Sequence, residues 1–164
     1  MQSKKIHKVS IVMGSQSDFK TMKLCQKVFK ILKVKFETKI ISAHRTPNRM
    51  FDYAKKVEKN NISVIIAGAG GSAHLPGMIA SLTTIPVIGV PIESKKLKGL
   101  DSLLSIVQMP KGIPVGSVAI GKDGAINAAL YAVAMMAVND SDLSEKLKNY
   151  RKEQAEKVLA ADLS

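Results

Sequence analysis

Short runs of apolar residues alternate along this chain with longer segments whose apolar residues recur every three or four positions. Such runs are typical of strands buried on both faces, and the longer segments are typical of amphipathic helices. The runs predict strands near residues 9–13, 36–41, 64–67, 86–90 and 115–120. The periodic segments predict helices near residues 19–32, 47–60, 75–82, 101–108, 125–138 and 143–161.

The order of these elements predicts the fold class. Five strands separated by helices indicate an α/β protein, in which a five-stranded parallel sheet is covered by helices on both faces and forms three layers. In strand order 2-1-3-4-5, the first strand would lie between the second and the third. The sequence contains no repeat or linker, so we expect one α/β domain over residues 1–164, with a C-terminal helical extension over about 141–162.

The predicted helix at residues 125–138 is apolar on all sides, since Asn127 and Tyr131 are its only polar side chains. A helix of this kind must be buried all round. A domain of this size hardly surrounds a helix by itself. We therefore favour a subunit interface over an inner helix of a monomer, and expect a homo-oligomer.

The composition restricts the cellular setting. Apolar residues make up 46% and charged residues 23% of the chain, as in ordinary globular proteins. No stretch of about 20 apolar residues predicts a membrane span. Residues 1–5 are basic but lack the long apolar segment of a signal peptide. Cys25 is the one cysteine and cannot form an internal disulfide, so we expect a cytoplasmic protein.

The formal net charge of +12 raises the question of a nucleic-acid partner. Against this, the lysines are spread over the chain, and aromatic residues total only 4%. No basic run is interleaved with aromatics. We expect no nucleic-acid partner, and a charge that helps to attract an anionic small molecule.

Three loops carry the candidate chemistry, and each follows one of the first three strands. All loops after the strands of a parallel sheet lie at the same edge, where ligands bind. The first loop, residues 14–18, offers a glycine turn and a helix N-terminus suited to phosphate, with Asp18 as an acceptor for ribose hydroxyls. Simple helix capping would equally explain Ser15, Ser17 or Asp18.

The second and third loops add a proton-transfer group and a close backbone approach. His44 can change charge near neutral pH, and Arg45 offers a planar cation for phosphate. Thr46 is expected to cap the following helix. The glycine-rich third loop, residues 68–77, would approach a flat ligand closely and could move as a lid. With three histidines and no cysteine cluster, the chain offers no metal-ligand spacing, and we expect no metal.

In these three loops and in the segments that follow them, the sequence resembles the class I 5-(carboxyamino)imidazole ribonucleotide mutase family. The matching motifs are VMGS at 12–15 with SD at 17–18, SAHRTP at 42–47, AGAGG at 67–71, AHLPGM at 73–78, SIVQMP at 105–110 and GIPVG at 112–116. Gln16 and Ser72 depart mildly, since lysine and alanine are common there. The resemblance covers about residues 9–138.

The resemblance implies a flavodoxin-like sheet, a homo-octamer, no cofactor, and a place in purine biosynthesis. It also implies that the enzyme moves a carboxylate from the exocyclic amine of the substrate to the adjacent ring carbon. His44 would be the general acid and base of this transfer. The residues expected to bind the ribonucleotide are Ser15, Ser17 and Arg45 for the phosphate, Asp18 for the ribose, and Ser42, Gly71 and His74 for the base.

Three other functions stay open from the residues alone. A flavin-binding electron carrier would use the same first loop, although aromatics that could sandwich a flavin are scarce. A nucleic-acid binding module rests only on charge. A carboxylase using free carbon dioxide differs from the mutase in its second and third loops, and His-Arg-Thr-Pro and His-Leu-Pro-Gly favour the mutase.

Overall fold

The computed structural model describes residues 7–161. Its centre is a five-stranded parallel sheet with strand order β2-β1-β3-β4-β5. The strands are β1 (Lys8–Met13), β2 (Lys35–Ile40), β3 (Ile62–Gly70), β4 (Val87–Ile92) and β5 (Gly116–Ser117). The predicted α/β class and the strand order 2-1-3-4-5 are therefore confirmed.

Helices cover both faces of this sheet. They are α1 (Phe19–Ile31), which a 3-10 turn at Gln16–Asp18 precedes, α2 (Pro47–Lys56), α3 (Leu75–Ala80), α4 (Leu100–Val107), α5 (Gly121–Ala137) and α6 (Ser141–Leu159). Helices α1, α5 and α6 contribute to the core on one face, and α2, α3 and α4 to the core on the other. This arrangement gives the three layers that the sequence predicts.

Strand β3 shows why an unbroken apolar run becomes a central strand. Val64 and Ile66 belong to the core beneath α1 and α5, whereas Ile65 and Ala67 belong to the core beneath α2, α3 and α4. Successive side chains of a strand point to opposite faces, so a strand covered on both faces needs apolar residues throughout.

Strands β3 and β5 differ from their predicted lengths by more than one residue. Strand β3 continues three residues past Ala67, because Gly68 pairs with both Met13 and Val90 and Gly70 pairs with Ile92. A Cβ at Gly68 would lie 2.5 Å from the Met22 sulfur, so this glycine lets α1 approach the sheet closely.

Strand β5, expected over residues 115–120, comprises only Gly116–Ser117. The backbone after it packs tightly against the start of α5, since a Cβ at Gly124 would collide with the carbonyl oxygen of Ala119. The chain therefore leaves the sheet early to enter α5.

Thr46 occupies the N-cap position of α2, as expected, but the hydrogen bonds of its side chain are not those of a cap. Its side chain makes no capping bond to α2. Instead the Thr46 hydroxyl donates to the Ser42 carbonyl at 2.9 Å and accepts the Ser42 N–H at 3.2 Å. Thr46 thus stabilises the loop before the helix. Helix α2 also ends at Lys56, whereas the pattern predicts residue 60.

Helices α5 and α6 account for the end of the described chain. One side of α5 is buried, but Tyr131 remains 47% exposed and Val138 78% exposed. Leu143 and Leu147 pack α6 onto the core, whereas every residue from 151 to 161 is exposed. Residue 162 of the expected extension and the basic residues 1–5 lie outside the described residues. Within residues 7–161, no helix combines the length and apolar character needed to cross a bilayer.

Candidate active site

A cleft of about 470 Å³ lies at the carboxyl edge of the sheet, where the loops after β1, β2, β3 and β4 meet. The expected meeting of the first three loops is thus observed. All eight sequence-predicted site residues line this cleft: Ser15, Ser17, Asp18, Ser42, His44, Arg45, Gly71 and His74. Their individual roles stay predictions.

The first loop is held by hydrogen bonds among its own side chains. The Ser15 hydroxyl accepts the Ser17 N–H at 3.3 Å and the Ser17 hydroxyl at 3.0 Å. The Asp18 carboxylate accepts the Ser15 N–H at 3.0 Å. Ser15 and Asp18 therefore cap the 3-10 turn, and the same residues line the cleft.

Asp18 is buried, with 8% of its surface exposed. Burial raises the pKa of this carboxyl above its ordinary value, against the opposing effects of the Ser17 hydroxyl, the Ser15 N–H and the Arg45 charge. A buried carboxylate beside a cleft is a strong acceptor for ligand hydroxyl groups.

Arg45 joins the first and second loops. Its guanidinium donates to the Gly14 carbonyl at 2.9 Å through Nη2 and to the Ser42 hydroxyl at 3.2 Å through Nε. The Ser42 hydroxyl also accepts the Arg45 backbone N–H at 3.2 Å. A guanidinium carries five N–H donors, so these bonds leave donors for an anionic ligand.

The two histidines of the cleft form a pair. His44 Nε2 lies 2.9 Å from His74 Nδ1, with the rings at 83° and their centroids 5.0 Å apart. One ring nitrogen must donate and the other accept in this contact, so the tautomers of the two imidazoles depend on each other. Such a pair can hold and move one proton at the cleft.

Gly71 requires the conformational freedom of glycine. Its φ is +66°, and no atom lies within 4 Å of where a Cβ would stand. The backbone at Gly71 is therefore accessible from the cleft. The Gly71 peptide also bonds to α4, because the Ser102 hydroxyl accepts its N–H at 2.9 Å.

Sequence reasoning missed the fourth loop of the cleft. Ile92, the last residue of β4, lines it, and so do Glu93 and Ser94, which follow the strand. The predicted strand order indicates this loop, since β4 neighbours β3 and the loop after β4 must reach the same edge of the sheet. The Ser94 hydroxyl donates to the Asp101 carboxylate at 2.7 Å, which fixes this loop to α4.

Other titratable groups of the described chain offer little reactive chemistry. Across residues 7–161, no three His, Cys, Asp or Glu side chains are grouped so that they could hold a metal ion. Cys25 is packed in the core, and its thiol donates to the Ala125 carbonyl at 3.1 Å. Burial raises the pKa of this thiol to about 12, which keeps it protonated.

Comparisons with known proteins point to one family. A family model described as AIR carboxylase matches residues 8–157. The N5-carboxyaminoimidazole ribonucleotide mutase of Escherichia coli (strain K12) is 55% identical over 152 residues, which cover 93% of this chain and 90% of that protein. A protein of the same name from Pyrococcus abyssi is 59% identical over 146 residues, covering 89% of this chain and 83% of that protein.

A solved structure adds agreement in three dimensions. The crystal structure of Treponema denticola PurE is similar with a TM-score of 0.85 and 27% identity, covering 93% of this chain and 94% of that one. The family match spans all four loops of the cleft, and the fold match spans the sheet that positions them. Together with the loop motifs, these findings establish that the chain belongs to the AIR carboxylase family.

Proposed function

We propose that this chain converts 5-(carboxyamino)imidazole ribonucleotide into 5-amino-4-carboxyimidazole ribonucleotide, a step of purine biosynthesis. The observation that carries the proposal is the His44–His74 pair, 2.9 Å apart, in one cleft with Arg45 and Asp18. The names of the E. coli and P. abyssi relatives support the same reaction.

The polar groups of the cleft suit a ribonucleotide. The spare donors of Arg45 and the hydroxyls of Ser15 and Ser17 would bind the phosphate. The Asp18 carboxylate would accept hydrogen bonds from the ribose. Ser42, Gly71 and His74 would contact the base, and the missing side chain at Gly71 leaves room for a flat ring.

The reaction is an isomerisation whose atoms balance without an oxidant or a reductant. The bond between the carbamate nitrogen and its carboxyl carbon breaks, carbon dioxide is released, and the nitrogen gains a proton. The adjacent ring carbon attacks the trapped carbon dioxide and then loses its hydrogen. His44 would donate the first proton and accept the second. No redox or nucleotide cofactor is needed for this balance.

A comparison of two substrate mixtures tests the reaction. We expect turnover with 5-(carboxyamino)imidazole ribonucleotide and little with 5-aminoimidazole ribonucleotide plus bicarbonate, in both cases without a cofactor. Formation of the carboxylated ring product is followed by its absorbance. Preferred use of the free amine with bicarbonate would instead identify a carboxylase, and turnover of neither mixture would overturn the proposal.

His44→Asn tests the proton-transfer role. Positioned proton transfer contributes about 10²–10⁴-fold, so we expect kcat to fall by at least about 100-fold. Affinity for the product ribonucleotide, measured by calorimetry, should stay within about threefold, because other groups bind the phosphate and the ribose. Near-normal turnover would contradict the role.

His7→Asn is the matched control. His7 lies just before β1, at the opposite edge of the sheet, with its Nε2 3.6 Å from the Asp140 carboxylate. The His7→Asn variant should keep the turnover of the wild type.

We also propose that the chain forms a homo-octamer in the cytoplasm. Two apolar surfaces support a large assembly. The α4 surface consists of Leu97, Leu100, Leu104 and Val107, and the α5 surface consists of Tyr131 and Val138. All of these side chains are exposed within one chain, and α4 and α5 lie on opposite faces of the sheet. One self-complementary interface closes a dimer, whereas two separate interfaces build a larger assembly.

A further inference from the structure

We propose that Ser102 is a positioning residue of the reaction: its hydroxyl fixes the Gly71 peptide and, through it, places His74 against His44. This inference rests on the proposed function. Ser102 lies on α4, does not line the cleft, and reaches the site only through other residues.

The Ser102 hydroxyl is used in both directions. It donates to the Ile92 carbonyl at 2.7 Å and accepts the Gly71 N–H at 2.9 Å. The side chain is fully buried, so water cannot replace either bond. One hydroxyl thus joins the last residue of β4 to the residue that follows β3.

The backbone around Ser102 holds its hydroxyl in place. The Asp101 carboxylate accepts the Ser102 N–H at 3.0 Å and the Ser94 hydroxyl at 2.7 Å. The Ser94 hydroxyl also accepts the Gly99 N–H at 3.1 Å. The start of α4 is therefore joined to the loop after β4, and Ser102 has a fixed point from which to bind Gly71.

The position of Gly71 determines that of His74 through two short turns. The Gly71 carbonyl accepts the Ala73 N–H at 2.8 Å, and the Ser72 carbonyl accepts the His74 N–H at 2.8 Å. His74 Nδ1 then meets His44 Nε2 at 2.9 Å. The Ser105 hydroxyl, also on α4, donates to the Gly71 carbonyl at 3.3 Å, whereas Ser102 binds the Gly71 N–H by the shorter bond of 2.9 Å.

Loss of the Ser102 hydroxyl would therefore misplace the histidine pair. A displacement of about 1 Å at reacting groups can cost about 100-fold in rate. Gly71 and His74 are also proposed to contact the base, but the groups proposed to bind the phosphate and the ribose lie on the first two loops and have no bond to Ser102. We therefore expect the loss to reduce kcat much more than it changes KM.

The test compares Ser102→Ala with Ser10→Ala in the full-length protein. Ser10 is also a fully buried serine, but its hydroxyl bonds to Glu37 on β2, away from the cleft. We expect Ser102→Ala to lower kcat by at least about tenfold with KM within about twofold. Ser10→Ala should keep both constants within about twofold. If Ser102→Ala does not fold, Ser102→Cys, which keeps the size but weakens both bonds, takes its place.

A second measurement separates positioning from mere stability. The chain has three histidines, His7, His44 and His74, so imidazole nitrogen resonances of ¹⁵N-histidine-labelled protein can be followed individually. In Ser102→Ala the His44 and His74 signals should shift, and the His7 signal should not. A folded Ser102 variant with unchanged kcat, or with unshifted His44 and His74 signals, would overturn the proposal. If the wild type fails to turn over the carbamate, the proposed function fails, and the resonances alone decide the role of Ser102.

Discussion

At the scale of single residues, Asp18 both stabilises the fold and lines the cleft. Its carboxylate caps the turn before α1 by accepting the Ser15 N–H, and it lines the cleft. Burial raises the pKa of the carboxyl, so at neutral pH the protein holds a charge that costs free energy. A group with such a cost is retained when its charge has a use, which agrees with a ribose-binding role.

The pH dependence of stability tests this cost. In the unfolded chain the Asp18 carboxyl has a pKa of about 3.8, and in the folded protein its pKa is higher. The contribution of Asp18 to stability is therefore fully present at a pH below the unfolded pKa and is lost as the pH rises through the folded pKa. The free energy of unfolding of Asp18→Asn minus that of the wild type should therefore increase from pH 3.5 to pH 7. Urea unfolding at one fixed protein concentration measures both. A constant or falling difference would contradict the argument.

At the scale of elements, the sequence pattern places the middles of strands and helices better than their ends. An apolar run such as residues 64–67 identifies a buried strand, since burial on both faces demands it. Its extension through Gly70 was missed because glycine is usually a breaker, whereas Gly68 here gives room to Met22. Such close approaches between distant segments leave no local signal.

The site could be predicted for a related reason. Parallel strands carry their following loops to one edge, so the order of the elements alone predicts that His44, Arg45 and Gly71 lie together. The hydrogen bonds of Ser102 and Thr46 could not be predicted from the sequence. The partner of each hydroxyl is determined by how α4 or the second loop packs. Serine and threonine hydroxyls bond to many backbone groups, and their sequence alone does not choose among them.

Gly124→Ala tests a close approach between elements. The added Cβ would meet the Ala119 carbonyl, which is backbone and cannot turn aside as a side chain would. Overpacking usually costs about 1–3 kcal/mol, and we expect a loss of about 3 kcal/mol here. Thermal or urea unfolding measures it. Lys122→Ala, at an exposed position in the first turn of the same helix, should change stability by less than about 0.5 kcal/mol. Equal effects of the two substitutions would contradict the close contact.

At the scale of the whole molecule, charge and apolar surface have different consequences. A net charge of +12 makes chains repel each other, so an assembly must bury enough apolar area to overcome this repulsion. The α4 surface supplies side chains that are 47–58% exposed within one chain. Apolar side chains clustered in this way mark interaction sites, in contrast to single exposed ones.

Substitution of each surface separately tests the assembly. Light scattering coupled to size-exclusion chromatography should give the mass of eight chains for the wild type. Leu104→Lys and Tyr131→Lys should each lower this mass to a smaller multimer, since a lysine charge is costly to bury in an apolar interface. The double variant should give single chains. Ile31→Lys is the control, because Ile31 is 62% exposed on α1 beside Lys30 and belongs to neither surface. A wild type that runs as single chains, or two surface variants that keep its full mass, would exclude these surfaces as the interfaces.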